Sequence, residues 1–285
     1  MGQVNNGFVM GLSFPVFVLL LVSVTSSSSS SYPRPLQPEE ATDHFLAGAL
    51  LSYSVNLTGC KVVSQTSPPI KTYDFGDDIR HGRYVMYGPL NNLTFWRQRY
   101  VDDKHATRSG PTSRLTGIQM DATGYAYVYI HDYDPKTLAR LAYLHMECWA
   151  MTGFTPIAQT PQGKQLPFDE IKAELLKGSL LSYSIYTTYC EPRPKNYTHI
   201  YVDAGPIDEY RLDPDGSVVF TYRVMDSDLS ADIITIKMTS SDDITLEKYT
   251  YSQVKGNPSQ LITKTCKYTV GTFGFGVYKI TSPQT

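Results

Sequence analysis

The sequence predicts an all-β protein made of two tandem, homologous antiparallel β domains, each of which begins with one short helix. A fifteen-residue stretch occurs twice, because residues 46–60 align without a gap with residues 176–190 and nine of the fifteen positions are identical. After each copy, segments rich in β-branched and aromatic residues alternate with turn residues, a pattern typical of strands. The repeat indicates a duplicated unit. The pattern does not decide between a sandwich and a barrel-like arrangement.

The repeat also predicts where the parts of the chain begin and end. Residues 1–31 are interpreted as a signal peptide with a serine-rich segment, residues 32–153 as the first β domain, and residues 168–285 as the second. Residues 154–167 carry three prolines and one glycine, which break both helical and strand periodicity. We therefore expect a proline-rich linker there.

Each repeat is predicted to open with a helix. Pro38 and the two glutamates after it suit the first turn of a helix, where a missing N–H is tolerated and acids meet the positive end of the dipole. In the second repeat Asp169 is the predicted N-cap. Ile171, Leu175 and Leu176 recur on one face of this helix, so we expect that face to be buried.

A glycine and a strand are predicted to follow each helix. Gly48 and Gly178 stand at the same place in the two copies, where a left-handed residue ends a helix. Residues 51–57 and 181–187 mostly alternate apolar with small or polar residues, as strands with one buried face do. Residues 213–216 read Asp-Pro-Asp-Gly between two such segments and predict a hairpin turn.

The four cysteines are distributed two to a repeat. Cys60 and Cys190 hold equivalent positions, and Cys148 and Cys266 follow them 88 and 76 residues later. Four cysteines permit three connectivities, of which a duplication favours Cys60–Cys148 with Cys190–Cys266. Their wide separation excludes a zinc site of the usual spacing.

The N-terminal segment predicts secretion. Residues 8–24 are mostly apolar and run into six consecutive serines, which favours a cleaved secretory signal over the alternative, an uncleaved anchor. Three sequons, at Asn56, Asn92 and Asn196, fit an extracellular glycoprotein that has no membrane contact once the signal is removed. A net charge of −2 and a pI near 6.3, without basic runs, exclude nucleic acid as a partner.

No catalytic motif is present, and neither a cofactor nor a metal is predicted. The sequence lacks the nucleophile-elbow, zinc-protease and phosphate-loop patterns, and its six histidines are not spaced as local metal pairs. We therefore expect six unrelated histidines and a non-enzymatic protein. The enzyme alternative requires that some of His81, His131, Asp132 and Arg97 converge within hydrogen-bonding distance in a cleft.

Tyrosine is the residue type in excess, with 22 residues. Tyr125, Tyr127 and Tyr129 alternate along a predicted strand and so share one of its faces. An aromatic stripe on a strand is typical of a core. The functional alternative is a concave face that, with Trp96, stacks on sugars or takes up an apolar ligand. Tyrosine cross-linking, as in matrix or adhesive proteins, is a third use that the composition permits.

Each repeat resembles the VirK-like domain. The shared features are a leucine-rich helix that ends in glycine and a strand that closes on a cysteine, seen at 46–60 and 176–190. An Asp-x-Tyr-Arg-x-x-x-Asp-Gly hairpin follows at 208–216, with Phe220 after it, and a late cysteine completes the pattern. The resemblance implies a disulfide-closed β domain and contributes no active site.

These observations leave three hypotheses. The favoured one is a secreted, disulfide-bonded, N-glycosylated, non-enzymatic structural or binding protein of an extracellular matrix or fluid, whose partner is an extracellular protein or a carbohydrate. The second is a carrier of a small apolar or carbohydrate ligand within a β domain. The third is an enzyme with an unfamiliar site.

Overall fold

The chain consists mainly of antiparallel β-strands with two nine-residue helices. A computed structural model describes residues 31–70, 72–87, 90–101, 111–121, 123–193, 195, 198–253, 259, 261–269 and 274–281. The signal segment and Asn196 lie outside these residues. We call residues 31–160 the first half and residues 161–281 the second half.

The first half contains one helix and ten strands. They are β1 (Arg34–Pro35), α1 (Pro38–Leu46), β2 (Leu51–Val55), β3 (Cys60–Gln65), β4 (Phe75–Ile79), β5 (Gly82–Tyr87), β6 (Leu90–Val101), β7 (Thr112–Asp121), β8 (Tyr125–Tyr133), β9 (Arg140–Trp149) and β10 (Phe154–Ala158). A short 3₁₀ turn, Leu57–Gly59, joins β2 to β3.

The second half contains one helix and nine strands. They are β11 (Lys164–Gln165), α2 (Phe168–Leu176), β12 (Leu181–Tyr186), β13 (Ile200–Pro206), β14 (Tyr210–Leu212), β15 (Val218–Met225), β16 (Ser230–Met238), β17 (Ile244–Ser252), β18 (Ile262–Cys266) and β19 (Phe275–Lys279). The Asp-Pro-Asp-Gly segment forms the predicted turn that connects β14 to β15, and Gly216 lies in the left-handed region at φ 84°.

The strands form three antiparallel sheets. Their orders are β1-β10-β2-β4, β11-β19-β12-β13-β5-β6-β7-β8-β9-β3 and β14-β15-β16-β17-β18. None of the three closes into a barrel in the part of the chain that the structure describes. The predicted all-β class with one short helix at the start of each repeat is therefore confirmed.

The ten-stranded sheet crosses the predicted domain boundary. Strand β13 of the second half pairs with β5 of the first, with Asp203 opposite Arg83 and Val202 opposite Tyr84. Pairing covers the edge that each strand would otherwise expose. Ser31–Thr285 accordingly forms one compact unit, and two tandem homologous domains are not confirmed.

The strand orders of the two halves nevertheless correspond. In the first half β2 lies between β10 and β4, with β1 outside β10; in the second half β12 lies between β19 and β13, with β11 outside β19. The meander of β5 to β9 likewise matches that of β14 to β18. Each meander ends on a strand that carries the late cysteine.

The predicted linker contains two of the strands. Phe154, Pro156 and Ala158 are buried on one side of β10, and β11 pairs with β19. Proline at position 156 hides this alternation in the sequence. Pro156 is tolerated in this strand because it lacks only the N–H donor. Its carbonyl oxygen still accepts a hydrogen bond from the Leu36 N–H at 2.8 Å.

The helix ends differ in part from the prediction. Helix α1 begins at Pro38 as expected, with Gln37 as its N-cap. In α2 the N-cap is Pro167 rather than Asp169, which lies in the first turn. Leu176 is exposed, because it lies about 100° round the helix from Leu175, whereas Ile171 and Leu175 are four residues apart on the buried face.

Both predicted disulfides are present. Cys60 lies directly opposite Cys148 on the paired strands β3 and β9. Cys190 is bonded to Cys266 at the end of β18, beside an isolated bridge between Glu191 and Thr265. Each bond therefore closes its own half, as the repeat predicts, and no cysteine is free.

Two large apolar cores lie on the inner faces of the sheets. The first packs α1, β2 and β10 against β6 to β9, and the second packs α2, β12 and β19 against β15 to β17. A small third cluster of Leu115, Tyr133 and Leu229 joins the outer face of the ten-stranded sheet to the five-stranded sheet, with Trp96 and Met225 packed against it.

Candidate ligand-binding cleft

A cleft of about 780 Å³ lies between the ten-stranded and the five-stranded sheet. Strands β13, β5 and β6 line one side, and strands β15 to β18 line the other. Its apolar lining includes Val85, Val224, Ile234, Leu246 and Ile262. Small-molecule sites usually measure about 300–1,000 Å³ and have apolar walls with a few polar groups. The cleft therefore has the size and lining of a ligand site.

An ion-pair network lies at the inner side of the cleft. Arg83 Nε donates to Asp203 Oδ1 at 2.7 Å, and Arg83 Nη2 donates to Asp232 Oδ2 at 2.8 Å. Lys248 Nζ donates to the same Asp232 oxygen at 2.7 Å, and the Thr250 hydroxyl donates to Asp232 Oδ1 at 2.7 Å. Two cations thus balance two carboxylates, and the network ties β5 and β13 to β16 and β17.

The network keeps the Asp232 carboxylate ionised. Burial alone would raise the pKa of Asp232, but the charges of Arg83 and Lys248 lower it below its usual value. The same carboxylates raise the pKa of the Arg83 guanidinium against the effect of burial. Burial raises the pKa of the Tyr222 phenol well above its usual value, and its hydroxyl lies 3.5 Å from Asp203 Oδ2. Asp232, Arg83 and Tyr222 therefore keep their charge states around neutral pH.

Lys264 stands at the open end of the cleft, on β18. It is half-buried, and its Nζ donates to the Thr187 carbonyl oxygen at 3.0 Å. Burial and the charge of Lys248 lower its pKa, while Glu191 acts in the opposite direction. Glu191 is itself paired with Arg193 at 2.8 Å. Among the residues that the structure describes, no carboxylate lies within ion-pair distance of Lys264.

Aromatic rings flank the cleft on the side of the ten-stranded sheet. The His199 and Tyr201 rings stack with centroids 5.9 Å apart at 15°, and the Arg83 guanidinium lies 5.8 Å from the Tyr201 centroid. Trp96 lines the opposite end, on β6. A ligand in the cleft therefore meets a flat aromatic surface near each end.

The Trp96 indole lies across a glycine. Gly117 on β7 is opposite both Trp96 and Tyr129, and a Cβ at Gly117 would stand 2.2 Å from the indole ring. Because Gly117 has no side chain, the indole reaches over β7 and stacks on Tyr129, with ring centroids 5.5 Å apart at 28°. The aromatic surface thus continues from the cleft onto the outer face of the sheet.

Tyr125, Tyr127 and Tyr129 lie on that outer face and not in the core. The buried face of β8 carries Ala126, Val128 and Ile130, so the core interpretation of the stripe is wrong. Both faces of this strand are apolar or aromatic, and alternation alone does not tell which of them is buried. The three tyrosines are half-exposed, and Tyr125 contacts the exposed Trp149 at a centroid distance of 4.3 Å. Their use as a ligand face stays a prediction.

Two of the six histidines meet on the same outer face. His131 Nε2 lies 2.8 Å from His145 Nε2, because β8 and β9 place the two rings as diagonal neighbours. Burial, then His145 and Arg140, lower the pKa of His131 to about 4, and burial and Arg140 lower that of His145. The expectation of unrelated histidines is therefore wrong for this pair. No group of three or more His, Cys, Asp or Glu side chains suited to a metal ion occurs among the described residues.

The four residues of the enzyme hypothesis are distributed over different surroundings. His131 and Asp132 point to opposite faces of β8, and Asp132 accepts two hydrogen bonds from Arg114. Arg97 donates to Asp77 of β4. His81 packs on Tyr183 and Tyr222 near the β13–β5 pairing. They do not converge in one cleft.

The structure describes two of the three predicted glycosylation sites. Asn56 is exposed at the end of β2, and its Oδ1 accepts hydrogen bonds from the Thr58 N–H and hydroxyl at 3.0 and 2.7 Å. Asn92 is partly exposed near the start of β6. Neither described helix is long and apolar enough to cross a bilayer. The glycans themselves stay predictions.

Sequence reasoning did not find the charged residues of the cleft. Asp203 stands inside an apolar strand, and a charged residue there is a signal of a buried partner. Lys264 lies two residues from Ile262 and two from the disulfide-bonded Cys266, so the three side chains share one face of β18. This indicates that the Lys264 side chain faces inward. Neither signal identifies the residue with which Asp203 or Lys264 interacts. Arg83 lies 120 residues from Asp203 in the chain, and only the pairing of β5 with β13 brings them together.

Comparison with known proteins gives one structural likeness. The crystal structure of a VirK family protein from Legionella pneumophila is similar, at 18% identity and a TM-score of 0.36, over 43% of this chain and 97% of that chain. The chain thus resembles a VirK family protein over part of its length, as its motifs indicate. No family model matches the sequence, and no curated protein matches it. Nothing about the cleft rests on this likeness.

Proposed function

We propose that this chain is a secreted, disulfide-bonded, N-glycosylated, non-enzymatic binding protein that carries a small organic ligand in the cleft between its two larger sheets. The observation that carries the proposal is the cleft itself, about 780 Å³ with largely apolar walls and charged groups at defined points. It lies where β13 of the second half joins β5 and β6 of the first.

The compartment follows from covalent features. Two disulfides and no free cysteine among four fit a chain that folds outside the reducing cytosol. The apolar N-terminal segment and the exposed sequon at Asn56 fit the same route. The mature protein then works in an extracellular fluid or matrix.

The non-enzymatic part of the proposal has separate support. Asp203 and Asp232 are the buried acids next to the cleft, and each is held by at least one cation at hydrogen-bonding distance. A carboxylate fixed in this way serves as a rigid wall and is poorly suited to accept a proton. Gene duplication accounts for the matched strand orders of the two halves, and the junction of the copies then created the cleft.

A second candidate function is binding of a matrix carbohydrate on the outer aromatic face. Trp149 is 57% exposed and packs on Tyr125, and the Trp96–Tyr129 stack continues the surface. Flat, exposed aromatic pairs suit stacking on sugar rings. Trp149→Ala should abolish retention on an immobilised polysaccharide if this face binds it, and should leave cleft binding unchanged.

The two tryptophans allow a direct test of the cleft. Trp96 lines the cleft and Trp149 lies outside it, so Trp149→Phe leaves one fluorophore at the site. We expect dodecanoate or its uncharged counterpart dodecanol to change Trp96 fluorescence in a saturable way at one molecule per chain. Trp96→Phe, whose only tryptophan is Trp149, is the matched control and should report little change. Failure of both probes to give a saturable change in Trp149→Phe overturns the proposal.

A further inference from the structure

The charges around the cleft are balanced at one place and unbalanced at another. Arg83 and Lys248 are matched by Asp203 and Asp232, so this network has no charge to offer a ligand. Lys264 is different, because among the described residues its partner is the neutral Thr187 carbonyl oxygen and no carboxylate lies within ion-pair distance. A half-buried cation without a counter-ion is unfavourable, and an anion placed beside it removes that cost.

The opposite end of the cleft has other chemistry. Trp96 and Met225 line it, together with the exposed carboxylate of Asp226. An anionic group placed there is repelled by Asp226, whereas an apolar body packs on the indole and the thioether. The cleft therefore has a direction, with an anion-binding end at Lys264 and an apolar end at Trp96.

The distance between the two ends limits the length of a ligand. Lys264 lies on β18 and Met225 on β15, which are three strand spacings apart in the five-stranded sheet. Neighbouring strands are separated by about 4.8 Å and residues along a strand by about 3.4 Å, and Met225 lies five residues along β15 from Phe220, which is on the same ladder as Lys264, so the two Cα atoms are roughly 22 Å apart. Both side chains line the cleft and take up part of this span, and an extended medium-length hydrocarbon chain fits the remainder.

We propose that the ligand is an amphiphilic organic anion, a monocarboxylate whose head group pairs with Lys264 and whose apolar body runs toward Met225 and Trp96. This inference rests on the proposed carrier function and adds the ligand's charge and its direction in the cleft. The ion-pair network behind it acts as a rigid polar wall, and the ligand does not displace it.

The test compares two probes that differ only in their head group. Dodecanoate and dodecanol are titrated, below the micelle concentration, into the Trp149→Phe protein and followed by Trp96 fluorescence. We expect dodecanoate to bind about tenfold or more tightly than dodecanol, since a hydrogen bond to a charged partner adds roughly this much affinity. This comparison requires no change at Lys264 and so does not depend on whether a variant folds.

Variants then locate the charge. Lys264→Met in the Trp149→Phe background should remove the preference for dodecanoate over dodecanol, and Lys264→Arg should keep the preference. Lys267→Met is the matched control, because Lys267 is three residues away, 74% exposed and outside the cleft. It should behave as the parent.

The outcomes separate the two proposals. Equal affinity for the two probes, or a preference for dodecanoate that survives Lys264→Met, overturns the inference about the anion and leaves the carrier function standing. Saturable binding of neither probe contradicts the carrier function itself. Tighter binding of dodecanol, or an equal loss of preference in Lys267→Met, also refutes the assignment to Lys264.

Discussion

Strands β4 and β13 hold the same place in the two halves, yet their aspartates have different surroundings. Asp203 of β13 is fully buried and bound by Arg83, because β5 covers the far edge of its strand. Asp77 of β4 lies at the margin of a smaller cavity of about 250 Å³, where it meets the partly exposed Arg97 and Arg99. The corresponding strand thus lies at the junction with the other half in one case and at the edge of its sheet in the other.

The different surroundings of β4 and β13 explain how the cleft is formed. A unit that ended at the equivalent of β4 would leave a sheet edge, and edges are covered or paired in stable proteins. Pairing of β13 with β5 covers one edge and places the outer face of the first half opposite the five-stranded sheet of the second. The cleft is therefore a product of the junction and belongs to neither half alone.

The largest expected effect concerns the two arginines. Arg83→Met leaves Asp203 buried with only a long hydroxyl contact from Tyr222, and we expect it to lower the free energy of unfolding by about 3–5 kcal/mol. Arg97→Met, which removes one of the two arginines paired with Asp77, should cost about 1 kcal/mol or less, because Arg99 still pairs with Asp77 and both arginines contact solvent. Equilibrium denaturation in guanidinium chloride measures both. Equal losses would show that the junction is not the more tightly coupled of the two places.

A loss of stability of intermediate size is expected at two glycines that hold the same place in the two halves. Gly48 and Gly178 end the two helices with φ of 75° and 77°, so alanine is strained at either position. A Cβ at Gly48 would also stand 2.2 Å from Ser182 Oγ and 2.8 Å from Tyr278 Cβ, whereas nothing lies within 4 Å at Gly178.

We therefore expect Gly178→Ala to cost about 1 kcal/mol and Gly48→Ala to cost about 1–3 kcal/mol more, since overpacking adds to the backbone strain. Thermal unfolding of the two variants beside the parent gives the difference. A Gly48→Ala protein as stable as Gly178→Ala would mean that the two halves do not approach each other closely at this point.

The smallest expected effect is the pH dependence that His131 of the first half contributes. The pKa of His131 falls to about 4 in the folded chain, below its unfolded value near 6.5, so the unfolded chain binds more protons between these values. Stability from this group is therefore complete above pH 6.5 and is lost as the pH falls toward 4.

Between pH 7 and pH 5 we expect His131 to account for about 1 kcal/mol of lost stability, a figure reduced for its partial contact with solvent. His131→Gln should shrink the difference between unfolding free energies at the two pH values. His199→Gln, a partly buried histidine of the second half that lies outside the His131–His145 pair, serves as the control. An unchanged pH dependence in His131→Gln contradicts the assignment.

Local sequence signals predicted much of the fold. The helix, glycine and strand at the start of each half, the hairpin at 213–216 and the pairing Cys60–Cys148 with Cys190–Cys266 all follow from repeat position and turn chemistry. These features depend on neighbouring residues or on the duplication, both of which are visible in one sequence.

The site depended on contacts that no local pattern encodes. Arg83 and Asp203 meet only through the β5–β13 pairing, and the Trp96–Tyr129 stack depends on Gly117 lying between them in register. The tyrosine stripe was ambiguous for a related reason, because Ala126, Val128 and Ile130 make the other face of β8 apolar as well. Long-range strand pairing decides the ion pair, the aromatic stack and the buried face of β8. Hydrophobic periodicity in the sequence does not specify that pairing.

A crystal structure of the protein with dodecanoate tests the central claim most directly. We expect density for one molecule in the cleft between the ten-stranded and five-stranded sheets, with its carboxylate at hydrogen-bonding distance from Lys264 Nζ and its chain toward Trp96. An empty cleft in saturated crystals, or dodecanoate bound instead beside Trp149 on the outer face, would contradict it.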